Sequence, residues 1–187
     1  MKRLFLFAIF AVVAFSSNAQ QRIQSIQLDS AIYNQINNVR LQNNKPALKK
    51  FLFNEIRDFS YTVTNANCSN VYFLHSSMDS CRKYCTEECI YRYRLTCGNA
   101  SNYDTKQHPE NIEKIAANVV TAWMNSPSHH DAILRTENQK ITVTSIIEIS
   151  ADRKSAIISV SYHTVQTTTK IEEIPYGLQS NSSYYMK

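Results

Sequence analysis

Ile141-Thr142-Val143-Thr144-Ser145-Ile146-Ile147-Glu148-Ile149 is a run rich in β-branched residues, and Ser150 to Lys154 behind it has the composition of a turn. Ala156 to Val165 repeats the strand chemistry. Two such runs about a short polar turn predict an antiparallel hairpin from Lys140 to Val165. Upstream the period changes. Pro109 with Glu110 opens a helix in which Ile112, Ile115, Ala116, Val119 and Trp123 form an apolar stripe. Ser126-Pro127-Ser128 stops it, and Ser128 can cap a short helix carrying His129, His130, Asp131, Ile133 and Leu134. Nearer the start, Leu28-Asp29-Ser30 offers a capping residue for a helix with Ile32, Ile36 and Val39 on one face up to Arg40. After a loop from Leu41 to Pro46, a second helical stretch starts at Ala47-Leu48, with Leu52, Ile56, Phe59 and Val63 at helical spacing. Helices followed by a hairpin predict an α+β domain with helices on a small antiparallel sheet.

The remaining middle segment, Val71 to Asp104, is weakly periodic. It holds His75, the cysteine cluster, the paired Glu87 and Glu88, and the run Tyr91-Arg92-Tyr93-Arg94, which could line a binding groove.

At 187 residues, 43% hydrophobic and 19% charged, the chain is enough for one compact domain. Only 2 Gly and 4 Pro leave no material for glycine-rich phosphate loops, which excludes the usual nucleotide-binding designs. The formal charge of +5 includes Lys2 and Arg3. Both precede an apolar run from Leu4 to Phe15 and small residues at Ser17 and Ala19, the pattern of a cleavable export signal over 1–19. That run is about a dozen residues, where roughly 20 are needed to span a bilayer. The expectation is therefore cleavage after Ala19, a polar leader over 20–27, a secreted or periplasmic product, and no transmembrane segment thereafter. The remaining basic residues are dispersed apart from Arg82-Lys83 and Arg92 with Arg94, a solvated face rather than a nucleic-acid site.

Export places Cys68, Cys81, Cys85, Cys89 and Cys97 in an oxidising compartment. Two disulfides tying the 68 to 97 region, with one thiol left over, are expected, their connectivity open. On a helix the spacing Cys81-x3-Cys85-x3-Cys89 would align three sulfurs along one stripe, poor geometry for bridging one another. A thiolate metal cluster is the less favoured alternative, because the spacing fits neither zinc knuckles nor iron–sulfur runs.

The segment Trp123-Met124-Asn125-Ser126-Pro127-Ser128-His129-His130-Asp131-Ala132-Ile133-Leu134 resembles the Trp-Met-Asn-Ser-Pro-Gly-His-Arg-x-x-Ile-Leu signature of bacterial CAP (SCP-like) domains. That superfamily is named for cysteine-rich secretory proteins, antigen 5 and pathogenesis-related 1. Asn38-Val39-Arg40 looks like the family's opening helix, Pro46-Ala47-Leu48 like its P-x-L turn, and His75 falls where the family keeps a histidine; the likeness covers about 28–166, leaving 167–187 as a tail. The family's Gly-Glu-Asn would fall on Glu87-Glu88-Cys89, keeping the carboxylate at Glu88. Departures are the missing glycines at Val143-Thr144-Ser145-Ile146 and Ser126 in place of a second glutamate.

The resemblance implies a CAP-type α-β-α sandwich with a cleft in which His75 and His129 face each other and hold a divalent metal, zinc or another, beside an acidic residue. Two imidazoles with a carboxylate and water suit a zinc ion with an open position. The resemblance also implies binding of a ligand such as a lipid, a sterol or a protein surface. The function expected is therefore a secreted binding module; the alternative is a metal-assisted hydrolase with Glu88 as general base. With no G-x-S-x-G elbow in the sequence, covalent catalysis is disfavoured. His130 should face away from its neighbour, and His108 and His163 have no evident partner.

Overall fold

The computed structural model describes residues 20–51, 54–69, 75–76, 85–96 and 98–166. The export signal, the C-terminal tail, Cys81 and Cys97 lie outside them. The chain order is β1 (Gln21–Gln24), α1 (Ile26–Gln42), β2 (Lys49–Lys50), α2 (Asn54–Ser69), β3 (Glu87–Leu95), α3 (Ile112–Met124), α4 (Pro127–Leu134), β4 (Asn138–Ile149) and β5 (Ala156–Gln166). Two 3-10 turns, Ala100–Tyr103 and Pro109–Asn111, lie between β3 and α3.

The hairpin is the backbone of the sheet. β4 and β5 pair antiparallel with Ile147 opposite Ile158 and Ile149 opposite Ala156. Ser150 closes the turn: its Oγ lies 2.6 Å from Asp152 Oδ1, and its N–H donates to Ser155 O at 2.9 Å. Arg153 takes the left-handed conformation there, φ 55°. The strand order is β1-β4-β5-β3, antiparallel throughout, while the two residues of β2 run parallel to β4 at Lys140 and Ile141. Arg22 stitches β1 down, with contacts to Glu148 at 2.6 Å, Asn65 at 2.8 Å and Ser69 at 2.7 Å.

Strand alternation sorts the side chains onto two unlike faces. On one, Ile147 and Ile149 of β4, Ile158, Val160 and Tyr162 of β5 and Cys89 of β3 meet α1 and α3 in an apolar core. Trp123 is 1% exposed in that core, its ring 5.6 Å from that of Tyr162. On the other face α2 lies against hydroxyls. Ser60, Thr64, Thr144, Ser159 and Ser161 are all buried. Ser60 Oγ donates to Thr144 Oγ1 at 2.8 Å, and Ser159 Oγ to Thr64 O at 2.9 Å. Small polar side chains here satisfy one another instead of leaving buried donors without acceptors. Among the described residues, four α-helices on the two faces of a five-stranded, mostly antiparallel sheet make this an α+β fold.

Local departures from the sequence reading have tertiary causes. The polar leader contains β1. α1 is capped by Ser25, whose Oγ accepts from Leu28 N at 3.2 Å, while Asp29 sits within the first turn. The second helix begins at Asn54 and not at Ala47, because α1 holds that backbone extended. Asn37 Nδ2 donates to Leu48 O at 3.1 Å and Leu48 N donates to Asn37 Oδ1 at 2.8 Å, with Tyr33 OH on the same carbonyl. Phe51 N then donates to Ile141 O at 2.8 Å, carrying the extended segment onto the sheet edge. α4 starts two residues early, at Pro127, with Ser126 and not Ser128 as its N-cap.

The cysteine reading is corrected outright. Cys68 and Cys89 are free and buried, so the other three cysteines can form one bridge at most, and the expected pair of disulfides is not formed. The reason is position. Cys89 lies on β3 facing the apolar core, and Cys68 ends α2 on the other side of the sheet, its Sγ 3.6 Å from Ile146 O. The helical stripe of sulfurs also fails, since Cys89 is in a strand.

Candidate binding site around His75 and Glu88

β3 begins with two adjacent glutamates, and alternation sends them to opposite faces. Glu87 turns toward the end of α4, where Arg135 Nε lies 2.7 Å away and Asn138 Nδ2 donates to it. Burial pushes the Glu87 carboxyl up, against the hydrogen bond from Asn138 and the Arg135 charge.

Glu88 turns to the hydroxyl-lined face. Its side chain is only 5% exposed, yet three donors meet it. His75 Nδ1 is 3.0 Å from Oε1, Ser76 N donates to Oε1 at 2.9 Å, and His163 Nε2 is 3.0 Å from Oε2. Burial alone would raise its pKa; the hydrogen bonds of His163 and Ser76, with the charge of His163, outweigh that and bring it to about 2. Glu88 is therefore an anion with both oxygens engaged.

An ionised carboxylate only accepts, so Nε2 of His163 and Nδ1 of His75 carry protons toward it. His163 is wholly buried in β5, and its Nδ1 reaches Ser60 Oγ of α2 at 3.1 Å. Phe59 packs edge-on against its ring, centroids 5.1 Å apart. His75 has a side chain 52% exposed, and Nδ1 is its nitrogen on the carboxylate. A continuous chain, Ser60 to His163 to Glu88 to His75, thus runs from the inside of the domain to its surface.

His129, in the first turn of α4, is half-buried. Burial lowers its pKa, and the neighbouring charge of His75 lowers it further, so the two histidines are electrostatic neighbours although 54 positions separate them in sequence. The structure thus pairs His75 with Glu88, and His129 is near enough for the charge of His75 to act on it. Among the described residues no group of three or more His, Cys, Asp or Glu side chains is arranged to hold a metal ion. His130 pairs with its neighbour Asp131 at 3.3 Å and His108 with Glu110 at 3.0 Å, both at the surface.

His163 is the member that sequence reading passed over. Its signal was the alternation Ser159-x-Ser161-x-His163, a polar stripe in a strand whose opposite stripe, Ile158, Val160 and Tyr162, is also buried. Polar residues on a face that a helix covers mark an internal network.

No protein-family model matches the chain, and no curated protein matches it. An outer surface protein from Borrelia burgdorferi is a similar solved structure. The TM-score is 0.46 at 18% identity, over 79% of this chain and 99% of that one. Among the described residues no helix is long and apolar enough to cross a membrane.

Proposed function

We propose that the chain is an exported binding domain of CAP-like design whose site is the cleft beside His75 and His129. The observation that carries this reading is the Glu88 carboxylate, which fixes the tautomer and direction of a half-exposed imidazole next to a second one. Carboxylate support of this kind makes an imidazole a better metal ligand. The donor set fits a divalent ion with two protein nitrogens, His75 Nε2 and a nitrogen of His129, the remaining positions falling to water or to the bound partner. Glu88, with both oxygens engaged, acts behind His75 and not on the ion. Zinc there would supply a Lewis acid with open positions. Dedicated zinc sites offer three or four protein ligands, so a two-nitrogen site favours reversible, partner-dependent binding.

Metal-assisted hydrolysis is the second reading, because an ion with open positions would activate its own bound water. Glu88, with pKa about 2, is a weak base near neutral pH and would orient His75 without taking the proton. Calorimetric titration with Zn²⁺ should give one site per chain, with affinity falling about tenfold or more in both His75→Ala and His129→Ala. Unchanged affinity in both variants would overturn the two-histidine site. Turnover of peptide or ester substrates that disappears in His75→Ala would favour the hydrolase.

A further inference from the structure

We propose that the trough between β3 and α3 is a binding site for a neutral oligosaccharide, distinct from the His75 cleft. The cavity is about 400 Å³, within the range of roughly 300–1,000 Å³ usual for small-molecule sites. Its lining contains aromatic rings, amides and hydroxyls over an apolar floor, and no charged side chain.

Both walls follow from sequence spacing. On β3 the alternation Tyr91-Arg92-Tyr93-Arg94 puts the two tyrosines on the cavity side and the two arginines on the other. Tyr91 and Tyr93, two residues apart, stand roughly 6.6 Å from each other along the strand, and Tyr103 joins them from the 3-10 turn. Asn118 and Thr121 of α3 and its C-cap Asn125 fall at three- and four-residue spacing along one face, opposite the rings. Val119 and Ile158 form part of the floor.

The chemistry selects the ligand. Among the described residues the side chains of Asn118, Thr121 and Asn125 and the three phenol hydroxyls have no hydrogen-bond partner, so six polar groups converge on the trough uncommitted. A hydrocarbon tail would strip water from these groups and return nothing. An anion would find no cation. A sugar ring presents hydroxyls to the amides and an apolar C–H face to the tyrosines, which satisfies both walls together. Burial and mutual crowding raise the pKa of Tyr91 and of Tyr103, so both hydroxyls stay protonated and able to donate.

The test is a ¹⁵N-correlation titration of the whole chain with cellotriose, maltotriose, xylotriose and triacetylchitotriose. Saturable shifts at the amides of Tyr91, Tyr93, Asn118 and Thr121 are expected with one of these sugars, unchanged from low to high salt. Tyr93→Ala and Asn118→Ala, both at exposed positions, should each weaken binding about tenfold at an unchanged melting temperature. His75→Ala should leave it intact. The proposal is overturned if none of these sugars binds, if the two trough variants bind as the parent does, or if the same amides respond to a proline-rich peptide and not to sugar.

Discussion

Two carboxyls respond to pH in opposite directions. Glu88 is held at about 2 against an ordinary 4.5, so it stabilises the fold above pH 4.5 and loses that contribution as the pH falls toward 2. Glu88→Gln should therefore be destabilised at neutral pH by about 2–3 kcal/mol, because His163 and Ser76 lose a charged acceptor. It should also lack the parent's loss of stability in that acid window; urea titrations across pH would reveal either. Asp29 behaves inversely. Burial lifts it from 3.8 to about 7, opposed by the hydroxyl of Ser145, which donates to Oδ1 at 2.6 Å, and by Lys50. The folded state then holds a proton that the unfolded chain releases, and stability falls as pH rises from about 4 through 7. Asp29→Asn keeps an acceptor for Ser145 and abolishes the penalty, a gain at pH 8 on the order of 1–2 kcal/mol after allowing for partial exposure. Of these groups, Glu88 was legible only through a family likeness. Asp29 belongs to the stretch Leu28-Asp29-Ser30 that offers a capping residue, and no local pattern reveals that Ser145, 116 positions away, would claim its carboxylate.

The hairpin, α1, α3 and α4 were legible because each carries its own period over several turns or alternations. β1, β2 and β3 were not. β2 is a two-residue strand held by Asn37, and β3 buries its tyrosines only in part, so its alternation shows rings against arginines where a core strand would show aliphatic residues. The elements are joined by a residue the sequence did offer. Arg40 of α1 is fully buried and donates to the carbonyls of Pro46, Ile133 and Arg135, tying α1 to the loop before β2 and to the end of α4. Arg40→Ala should lower stability by about 3 kcal/mol or more, and Arg40→Lys should recover little, because an ammonium cannot reach three divergent carbonyls. Thermal melts of the two variants decide this; full recovery by lysine would mean that charge alone matters at this position.

At the scale of the molecule, the sheet separates the free thiols of Cys68 and Cys89. Burial raises the Cys68 thiol to about 11 and pushes Cys89 higher still, so neither presents a thiolate at neutral pH. The native chain should resist maleimide at both positions and accept label at both once unfolded without reductant. Two disulfides in the intact mass of unreduced protein would contradict this arrangement. Sequence alone could not foresee it, because pairing depends on which side of a sheet each sulfur occupies. The seating of β1 also bears on the order in which the fold is made. Arg22 meets Glu148 across 126 positions, so β1 has its place on a partner synthesised long after it. Closing so long a loop is entropically unfavourable until the hairpin already offers its edge. During synthesis β1 must wait unpaired until β4 and β5 emerge, and the sheet then closes on it like a clasp.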